Sequence, residues 1–408
     1  MNGLNEVVVA AYGRSAVGRA RKGGLAFAHP VDFGAQVLRG VLDRVPALDP
    51  ADIDDVVVGC SNPSGKQGSN IARQIVLRAD LPVSIPAETV CRFCSSGLQA
   101  ISIGANAIMT GQAQVVVAGG VESMSALPIN MGLDDRSPWL VEHKPNSLVP
   151  MGGTAENVAE AYGVTREEMD ALAVESHKRA AAAQAAGKFD GEIIPVEVPD
   201  AEGSTVVFSR DDGIRPNTTM ESLAGLKTVF KENGTVTAGT SSQTSDGAGF
   251  LVLMSREKAD ALGIEPIARF LAYAVAGVEP HLMGIGPIYA VPKVMKLTGL
   301  KIADMDVIEL NEAFAAQAIP CIRELGLDMA KVNPNGGAMA LGHPLGATGA
   351  ILSCKALAEL ERTGGRYALI TMCVGGGMGA AGIYERLPQK RKLLTESDLP
   401  NGFCCGTI

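Results

Sequence analysis

A cysteine suited to nucleophilic chemistry stands where an extended run changes into a helical pattern. Cys94 opens the segment CSSGLQA at 94–100, directly after the extended run 88–90 and before apolar residues at helical spacing. Unpaired N–H groups and the helix dipole at a helix start favour the thiolate. We therefore expect a lowered pKa and a nucleophilic role for Cys94. The alternative is a buried, inert cysteine, the usual fate of a free thiol.

A histidine suited to acid–base chemistry lies in a glycine-rich turn. His343 belongs to the segment NPNGGAMALGHPLG at 333–346, where the many glycines indicate that the backbone presents the ring. Histidine is the usual proton-transfer residue near pH 7. The alternative is a loop histidine that binds a backbone carbonyl.

The elements that must position these residues occur twice. Residues 51–54 and 303–306 are similar and lie 252 positions apart. Each of these two segments follows a helical pattern and leads into an apolar strand. In the first half a helix starting near Cys94 precedes the strand 115–118. In the second half the His343 turn precedes a helix at 348–362 and the strand 367–370. Short apolar strands alternating with helices predict sheets covered on both faces, so we expect two similar α/β halves.

The duplication predicts that matching turns meet at one site. Cys94 then faces the turn that holds His343, and the end of the second-half strand brings Cys373 nearby as a second thiol able to move a proton. The bare N–H groups of the glycines beginning at Gly375 are suited to a developing oxyanion. Asn311, just after a strand, is placed to orient water or polarise a carbonyl.

An insertion separates the two halves. It includes a loop rich in Pro, Asn and Gly at 127–153, a helix at 155–162, and a second helix to about 186 that begins with a capping box formed by Thr165 and Glu168. We predict a first core half from 1–120 and 251–266, an inserted loop or lid domain at 121–250, a second core half at 267–387, and a mobile tail at 388–408.

Composition limits the class of protein. The chain has 408 residues, 47% of them hydrophobic and 19% charged, which predicts a globular protein with more than one core. The net charge of −9 argues against a nucleic-acid partner. The eight cysteines have no zinc-site spacing, so we expect no metal and no disulfide framework. Without an apolar run long enough to span a membrane and without a leader, the sequence predicts a cytoplasmic protein.

Seven segments, in order, resemble the thiolases over residues 5–386. They are CSSGLQA (94–100), GGVESMS (119–125), MGGTAENVA (151–159), SDGA (245–248), NEAFA (311–315), GGAMALGHPLG (336–346) and CVGGGMG (373–379). The resemblance implies a thiolase-like α/β fold, with two βαβαβαββ halves in a five-layer αβαβα arrangement and a loop domain inserted in the first half.

The resemblance also implies a role for each reactive residue. Cys94 would carry the acyl group, His343 would activate it, and Cys373 would act as acid and base at the α-carbon of acetyl-CoA. Asn311 would hold a water of one oxyanion site, and the N–H groups of Cys94 and Gly375 would form the other. Further residues match positions that contact coenzyme A: Ser242, Met151, Phe314 and Arg215. No cofactor would be bound permanently, because coenzyme A is a substrate.

Details near the motifs favour a degradative 3-ketoacyl-CoA thiolase. Ser95 and Ser96 follow the nucleophile, and Pro150 stands before Met151 where biosynthetic members often have histidine. The alternatives are a biosynthetic acetoacetyl-CoA thiolase and a thiolase-like lipid-binding protein. A ketoacyl synthase is disfavoured by Cys373. The chain would form a homodimer or homotetramer that binds acyl-CoA and CoA. A β-oxidation subunit would be a further partner.

One position departs from the family pattern. Thiolases commonly have asparagine three residues before the nucleophile, where this chain has Cys91. Cys91 either forms a thiol pair with Cys94 or is a small residue tolerated in a strand, and we assign it no role.

Overall fold

The strands form one continuous ten-stranded sheet, whose two halves, here called the first and the second sheet, share one pattern, and a separate two-stranded sheet. The computed structural model of the protein describes residues 3–126 and 137–388. The strands are β1 (Val7–Arg14), β2 (Gly18–Arg19), β3 (Asp55–Gly59), β4 (Ala87–Val90), β5 (Val115–Ser123), β6 (Val196–Pro199), β7 (Thr205–Phe208), β8 (Ser245–Ser255), β9 (Ala268–Gly277), β10 (Val307–Leu310), β11 (Tyr367–Val374) and β12 (Met378–Arg386).

The helices cover the sheets on both faces. They are α1 (Pro30–Leu42), α2 (Ile71–Arg78), α3 (Ser96–Met109), α4 (Pro138–His143), α5 (Met151–Tyr162), α6 (Arg166–Ala185), α7 (Met220–Ala224), α8 (Arg256–Ala261), α9 (Gly286–Thr298), α10 (Ala315–Glu324), α11 (Ala338–Leu341) and α12 (Leu345–Thr363). Short 3-10 turns connect several of these elements, including the turn Phe93–Ser95 that leads into α3.

The two halves repeat the same sheet topology. The first half has the order β4-β3-β5-β8-β1, with parallel pairing of β3 to both β4 and β5 and antiparallel pairing beyond. The second half has the order β10-β11-β12-β9, again with a parallel pair followed by antiparallel ones. Two register pairs between β1 and β9, such as Val8 with Arg269, join the sheets. The duplication predicted from the sequence is therefore confirmed.

The three largest apolar clusters among the described residues lie at the boundaries of the five layers. One core lies between the first sheet and the outer helices α1 and α2, and another lies between the second sheet and the outer helices α9 and α10. The central core joins both sheets to α3 and α12, which pack against each other between them. Because burying apolar faces drives such packing, the alternation of short apolar strands and helices leads to an αβαβα arrangement.

The insertion is anchored to the first half by buried charges. Arg14, at the end of β1, is 1% exposed and donates hydrogen bonds to Glu192 (2.7 Å) and to both carboxylate oxygens of Asp211 (2.8 and 2.9 Å). A buried guanidinium needs such complete pairing, because an unpaired buried charge is strongly destabilising. The link fixes the insertion to the core sheet.

Local expectations for the insertion were met in part, because the stretch expected to be a loop at 127–153 contains α4 and a 3-10 turn at Pro145–Leu148. The capping box of Thr165 and Glu168 is present at the start of α6. The helix expected at 155–162 begins earlier, at Met151, because the glycines that follow Met151 hide its periodicity. Residues 127–136 of the expected loop, and the expected mobile tail from 389 onward with Cys404 and Cys405, lie outside the described residues.

Candidate active site

Cys94 lies in the 3-10 turn between β4 and α3. The turn is held by Ser96, whose hydroxyl accepts from the Arg92 N–H (2.9 Å) and donates to the Phe93 carbonyl (2.7 Å). Phe93 has φ of 43°, a left-handed conformation that is unusual for a bulky residue. This sharp turn leads the chain directly into the start of α3, with Cys94 8% exposed.

The surroundings of the Cys94 thiol disfavour its ionisation. Burial raises the pKa of Cys94 to about 11, although the N–H groups of Gly375 and of Cys94 itself hydrogen-bond to the sulfur and lower it. The lowered pKa expected from the helix start is therefore wrong, because loss of solvation outweighs the two N–H groups. At neutral pH the sulfur is a thiol that needs a base.

His343 stands between α11 and α12, with its ring held at both nitrogens. Nδ1 lies 2.6 Å from the Thr348 hydroxyl, and Nε2 lies 3.3 Å from Nδ2 of Asn311. Because an amide NH₂ only donates, Nε2 accepts and the ring hydrogen is on Nδ1, which donates to Thr348. Burial lowers the pKa of His343 to about 4, so the ring is neutral at neutral pH.

Backbone contacts place the histidine turn beside the insertion. The His343 N–H lies within hydrogen-bonding distance of the Gln243 carbonyl (3.1 Å) and the Ser245 hydroxyl (3.2 Å). The preceding residue, Gly342, has φ of 103°, and a Cβ there would collide with the Ser245 hydroxyl. Glycine is therefore required where the chain passes Ser245.

The starts of α3 and α12 touch, which brings the cysteine and histidine turns together. An ideal Cβ on Gly97 would lie 2.9 Å from both the Gly346 carbonyl oxygen and the Ala350 nitrogen. Cys94 is three residues before Gly97, and His343 is three residues before Gly346. The close approach of the two helices thus depends on the missing side chain of Gly97.

Cys373 lies in β11 and is fully buried. It packs against Met283 and Ala313, with the half-buried side chains of Met151 and Phe314 beside them. Burial raises the pKa of Cys373 well above the usual value, and a thiolate on the neighbouring Cys94 would raise it further. Cys373 is therefore a thiol at neutral pH and a proton donor close to Cys94.

Asn311 follows β10 and presents an unpaired oxygen. Its N–H donates to the Thr371 carbonyl (2.9 Å), and the residue is 1% exposed. Its Oδ1 is buried and has no hydrogen-bond partner among the described residues. Because a buried amide oxygen normally has a partner, this atom is suited to a water or a ligand hydrogen.

The four residues expected at the coenzyme A site divide into two groups. Met151 and Phe314 adjoin Cys373, and Ser242 is tied to the same region because its N–H donates to the Ala313 carbonyl (2.9 Å). Arg215 is exposed, forms no salt bridge with a described residue, and has its N–H bound to Nδ1 of His177 (3.1 Å). Arg215 is thus free to bind an anionic group at the surface.

Glu122 is a central residue that the sequence patterns did not single out. It is 1% exposed and accepts hydrogen bonds from the N–H groups of Ser61 (2.7 Å) and Gly346 (2.8 Å) and from the Gln67 amide (2.8 Å). It therefore connects the strand end in the first half to the start of α12 in the second. A carboxylate within the otherwise apolar strand β5 was the available signal.

Other residues near the site were also not expected. Thr348, which fixes the His343 ring, has only its position five residues after His343 as a signal. Phe230 packs edge-on against Phe314, with 5.9 Å between ring centroids, although it is distant in sequence. Met283 contacts Cys373 from a 3-10 turn before α9. Cys91 is exposed and its thiol lies 3.3 Å from the Ser61 carbonyl oxygen.

The described residues limit what else the site contains. Within 3–126 and 137–388, no three His, Cys, Asp or Glu side chains cluster in a way that would hold a metal ion. In the same ranges no helix has the length and apolar character needed to span a bilayer.

Comparisons with known proteins agree with this architecture. The family model for the N-terminal domain of thiolase matches residues 7–257, and that for the C-terminal domain matches 264–386. A 3-ketoacyl-CoA thiolase of Bacillus subtilis is 49% identical over 94% of this chain and all of the relative. The peroxisomal 3-ketoacyl-CoA thiolase 5 of Arabidopsis thaliana is also 49% identical, over 93% of this chain and 85% of that protein.

A solved structure shows the same fold. The acetyl-CoA acetyltransferase of Bacillus anthracis superimposes with a TM-score of 0.88 at 40% identity, covering 95% of this chain and all of that one. Together with the two family models, which account for most of the chain, these similarities confirm the family suggested by the seven segments. The chain belongs to the thiolase family and is an acyltransferase.

Proposed function

We propose that this chain is a 3-ketoacyl-CoA thiolase that cleaves its substrate with coenzyme A through an acyl-thioester on Cys94. One observation carries the proposal: the thiol of Cys94, with two N–H groups directed at its sulfur, lies beside a second buried thiol, Cys373. The relatives named 3-ketoacyl-CoA thiolase support this substrate class. The products are acetyl-CoA and an acyl-CoA shortened by two carbons.

In the first half-reaction, Nε2 of His343 takes the proton of Cys94 as the sulfur attacks the 3-keto carbon. The charge that develops on the keto oxygen is stabilised by hydrogen-bond donors. The bond between C2 and C3 breaks, and its electron pair stays on the acetyl-CoA carbanion. Cys373 protonates that carbanion, which leaves acetyl-CoA, a Cys373 thiolate, a protonated His343 and the acyl-thioester.

In the second half-reaction, the Cys373 thiolate takes the proton of incoming CoA, and the CoA sulfur attacks the acyl-thioester. The N–H groups of Cys94 and Gly375 would stabilise one oxyanion, and His343 with a water on Asn311 would stabilise the other. Breaking the bond to the Cys94 sulfur releases acyl-CoA. His343 then returns its proton to Cys94, so every group ends as it began.

The contacts to coenzyme A are part of the proposal. Met151 and Phe314 adjoin Cys373, and Ser242 is hydrogen-bonded to the neighbouring Ala313, so these three would line the pantetheine path. The exposed Arg215 would bind a phosphate at the nucleotide end. No cofactor beyond the CoA substrates is needed, because thioester exchange and proton transfer use only these side chains.

Trapping the acyl-enzyme tests the mechanism. The protein is mixed with a 3-ketoacyl-CoA in the absence of free CoA and examined by peptide mass spectrometry. We expect an acyl group on Cys94 that disappears when CoA is added, and none on Cys94→Ala. Thiolysis by Cys94→Ala, or acylation of another residue at the same rate, would contradict the proposal.

A second candidate is a biosynthetic acetoacetyl-CoA thiolase, which the likeness to an acetyl-CoA acetyltransferase favours. The rate of thiolysis against acyl-chain length separates the two. We expect activity on chains longer than acetoacetyl-CoA. Activity confined to acetoacetyl-CoA would support the second candidate.

The wider setting follows from the same proposal. We infer a cytoplasmic homodimer or homotetramer acting in fatty-acid β-oxidation, alone or with a partner subunit. The edge strand β4 offers backbone groups for subunit pairing, and the six described cysteines are all free, as in a reducing compartment. Light scattering after size exclusion measures the assembly.

The domain division at 120, 250, 266 and 387 is also proposed, and limited proteolysis tests it.

A further inference from the structure

Asn333 has a strained backbone and a fully used side chain immediately beside β10. Its φ is 44°, in the left-handed region that asparagine tolerates better than other side chains. It is 3% exposed. Its amide oxygen accepts from the Leu310 N–H (2.9 Å), and its NH₂ donates to the Leu310 carbonyl (2.8 Å) and to Glu312 (2.8 Å).

The side chain of Asn333 makes the hydrogen bonds to β10 that its backbone no longer makes. The chain at 331–333 pairs with Ile308, whose N–H donates to the Lys331 carbonyl and whose carbonyl accepts from the Asn333 N–H (2.8 Å). In a parallel pair, the next residue of β10 on this edge is Leu310. The backbone turns away at Asn333, and the side-chain amide makes both hydrogen bonds that a paired strand would have made to Leu310.

The hydrogen bonds of the Asn333 side chain also restrain the two residues that follow Leu310. On its other edge β10 pairs with β11, and the Asn311 N–H donates to the Thr371 carbonyl. The chain is thus held on both sides of Asn311. Asn333 binds the N–H and the carbonyl of Leu310, which precedes it, and one side-chain oxygen of Glu312, which follows it. The other oxygen of Glu312 accepts from Ser176 on α6 (2.6 Å).

We propose that Asn333 is a positioning residue for Asn311. By closing the free edge of β10 at Leu310 and holding Glu312, it sets the direction of the Asn311 amide toward His343 and toward the water that Asn311 is proposed to hold. This inference rests on the role proposed for Asn311. A small rotation of the chain at Leu310 would move the amide away from the transition state without changing the surface that binds coenzyme A.

The test compares kcat and KM in Asn333→Gly, which keeps the left-handed backbone and removes the side chain. We expect kcat to fall about tenfold to a hundredfold while KM for CoA stays within about twofold, since misplacing a catalytic group acts on the transition state. Asn335→Gly is the matched control. It is another buried asparagine of the same segment, but it binds Glu359 and Lys188 instead of β10. Its kcat should change by less than threefold.

A double-mutant cycle separates positioning from general loss of stability. In the Asn311→Ala background, Asn333→Gly should lower kcat by no more than about twofold, because the group it positions is absent. If the two substitutions lower kcat independently, or if Asn333→Gly has the kcat of the parent, the inference is overturned. It is also overturned if Asn311→Ala alone has the parental kcat.

A second variant covers the case in which Asn333→Gly does not fold. Asn333→Asp also tolerates the left-handed conformation and can accept from the Leu310 N–H, but it cannot donate to Leu310 or Glu312. We expect the same loss in kcat with little change in KM, and a parental kcat would overturn the inference. Failure of the proposed function gives a different result, since Cys94→Ala would then retain thiolysis.

Discussion

The starts of α3 and α12 occupy matching places in the two halves, yet their backbone N–H groups have different partners. At α12, the N–H of Gly346 is bound by the carboxylate of Glu122. At α3, the N–H of Cys94 points at its own sulfur, together with the N–H of Gly375. The N–H groups at the start of α3 are those proposed to stabilise an oxyanion, whereas the Gly346 N–H at the start of α12 joins the two halves. The two matching places thus use their N–H groups differently, although each lies beside a reactive side chain.

The reactive groups at the two starts share one electrostatic property. Burial disfavours the charged form of each, so the pKa of Cys94 rises to about 11 and the pKa of His343 falls to about 4. The resting pair is therefore a thiol and a neutral imidazole. In the proposed mechanism, proton transfer to His343 would therefore accompany the attack of the Cys94 sulfur on the substrate.

Removing the base at the second helix start should have the largest effect. His343→Ala should lower kcat about 10²- to 10⁴-fold, because general base catalysis contributes on that scale. Thiolysis is followed by thioester absorbance. His29→Asn is the control, since His29 caps the N-terminus of α1 and asparagine is also a good cap. A similar loss in both variants would mean that His343 is not the base.

The pH dependence of Cys94 alkylation sharpens the electrostatic comparison. For a thiol with a pKa of about 11, the thiolate fraction, and with it the rate of labelling by iodoacetamide, should rise about tenfold per pH unit between pH 8 and 10. Peptide mapping distinguishes Cys94 from the exposed Cys91. A plateau beginning near pH 7 would show instead a thiolate stabilised by the helix start.

Removing the carboxylate that binds the start of α12 should destabilise the protein. In Glu122→Gln, an NH₂ group replaces one acceptor oxygen and faces N–H donors, so we expect a loss of about 2 kcal/mol in the free energy of unfolding. Denaturant titration measures it. Glu160→Gln, which removes an exposed partner of Lys231, should leave the transition unchanged. Equal stability of all three proteins would refute the structural role of Glu122.

The smallest expected effect concerns the partner of the His343 ring. Thr348→Val keeps the shape but removes the acceptor for the Nδ1 hydrogen, and kcat should fall about tenfold, the equivalent of one buried hydrogen bond. Thr348→Ser should recover most of the activity. If serine and valine reduce kcat equally, packing rather than the hydrogen bond positions the ring.

The fold was more predictable from the sequence than the chemistry of the site. The capping box at Thr165 depends only on neighbouring residues and identified the start of α6, and the similarity of 51–54 to 303–306 identified the two halves. The pKa of Cys94 could not be predicted, because desolvation is the sum of everything packed around the sulfur. Glu122 was missed because its partners Ser61 and Gly346 come from different halves of the chain.

The pairing of β1 has a consequence for the order in which the chain folds. β1 (Val7–Arg14) lies between β8 (Ser245–Ser255) and β9, so its first neighbour is synthesised more than 230 residues later. At about 5 to 20 residues per second, the ribosome needs roughly 12 to 50 seconds to supply that neighbour. During this interval the apolar segment VVVAAY has no native strand partner. Unpaired apolar strands of this kind are prone to aggregation until their partners are made.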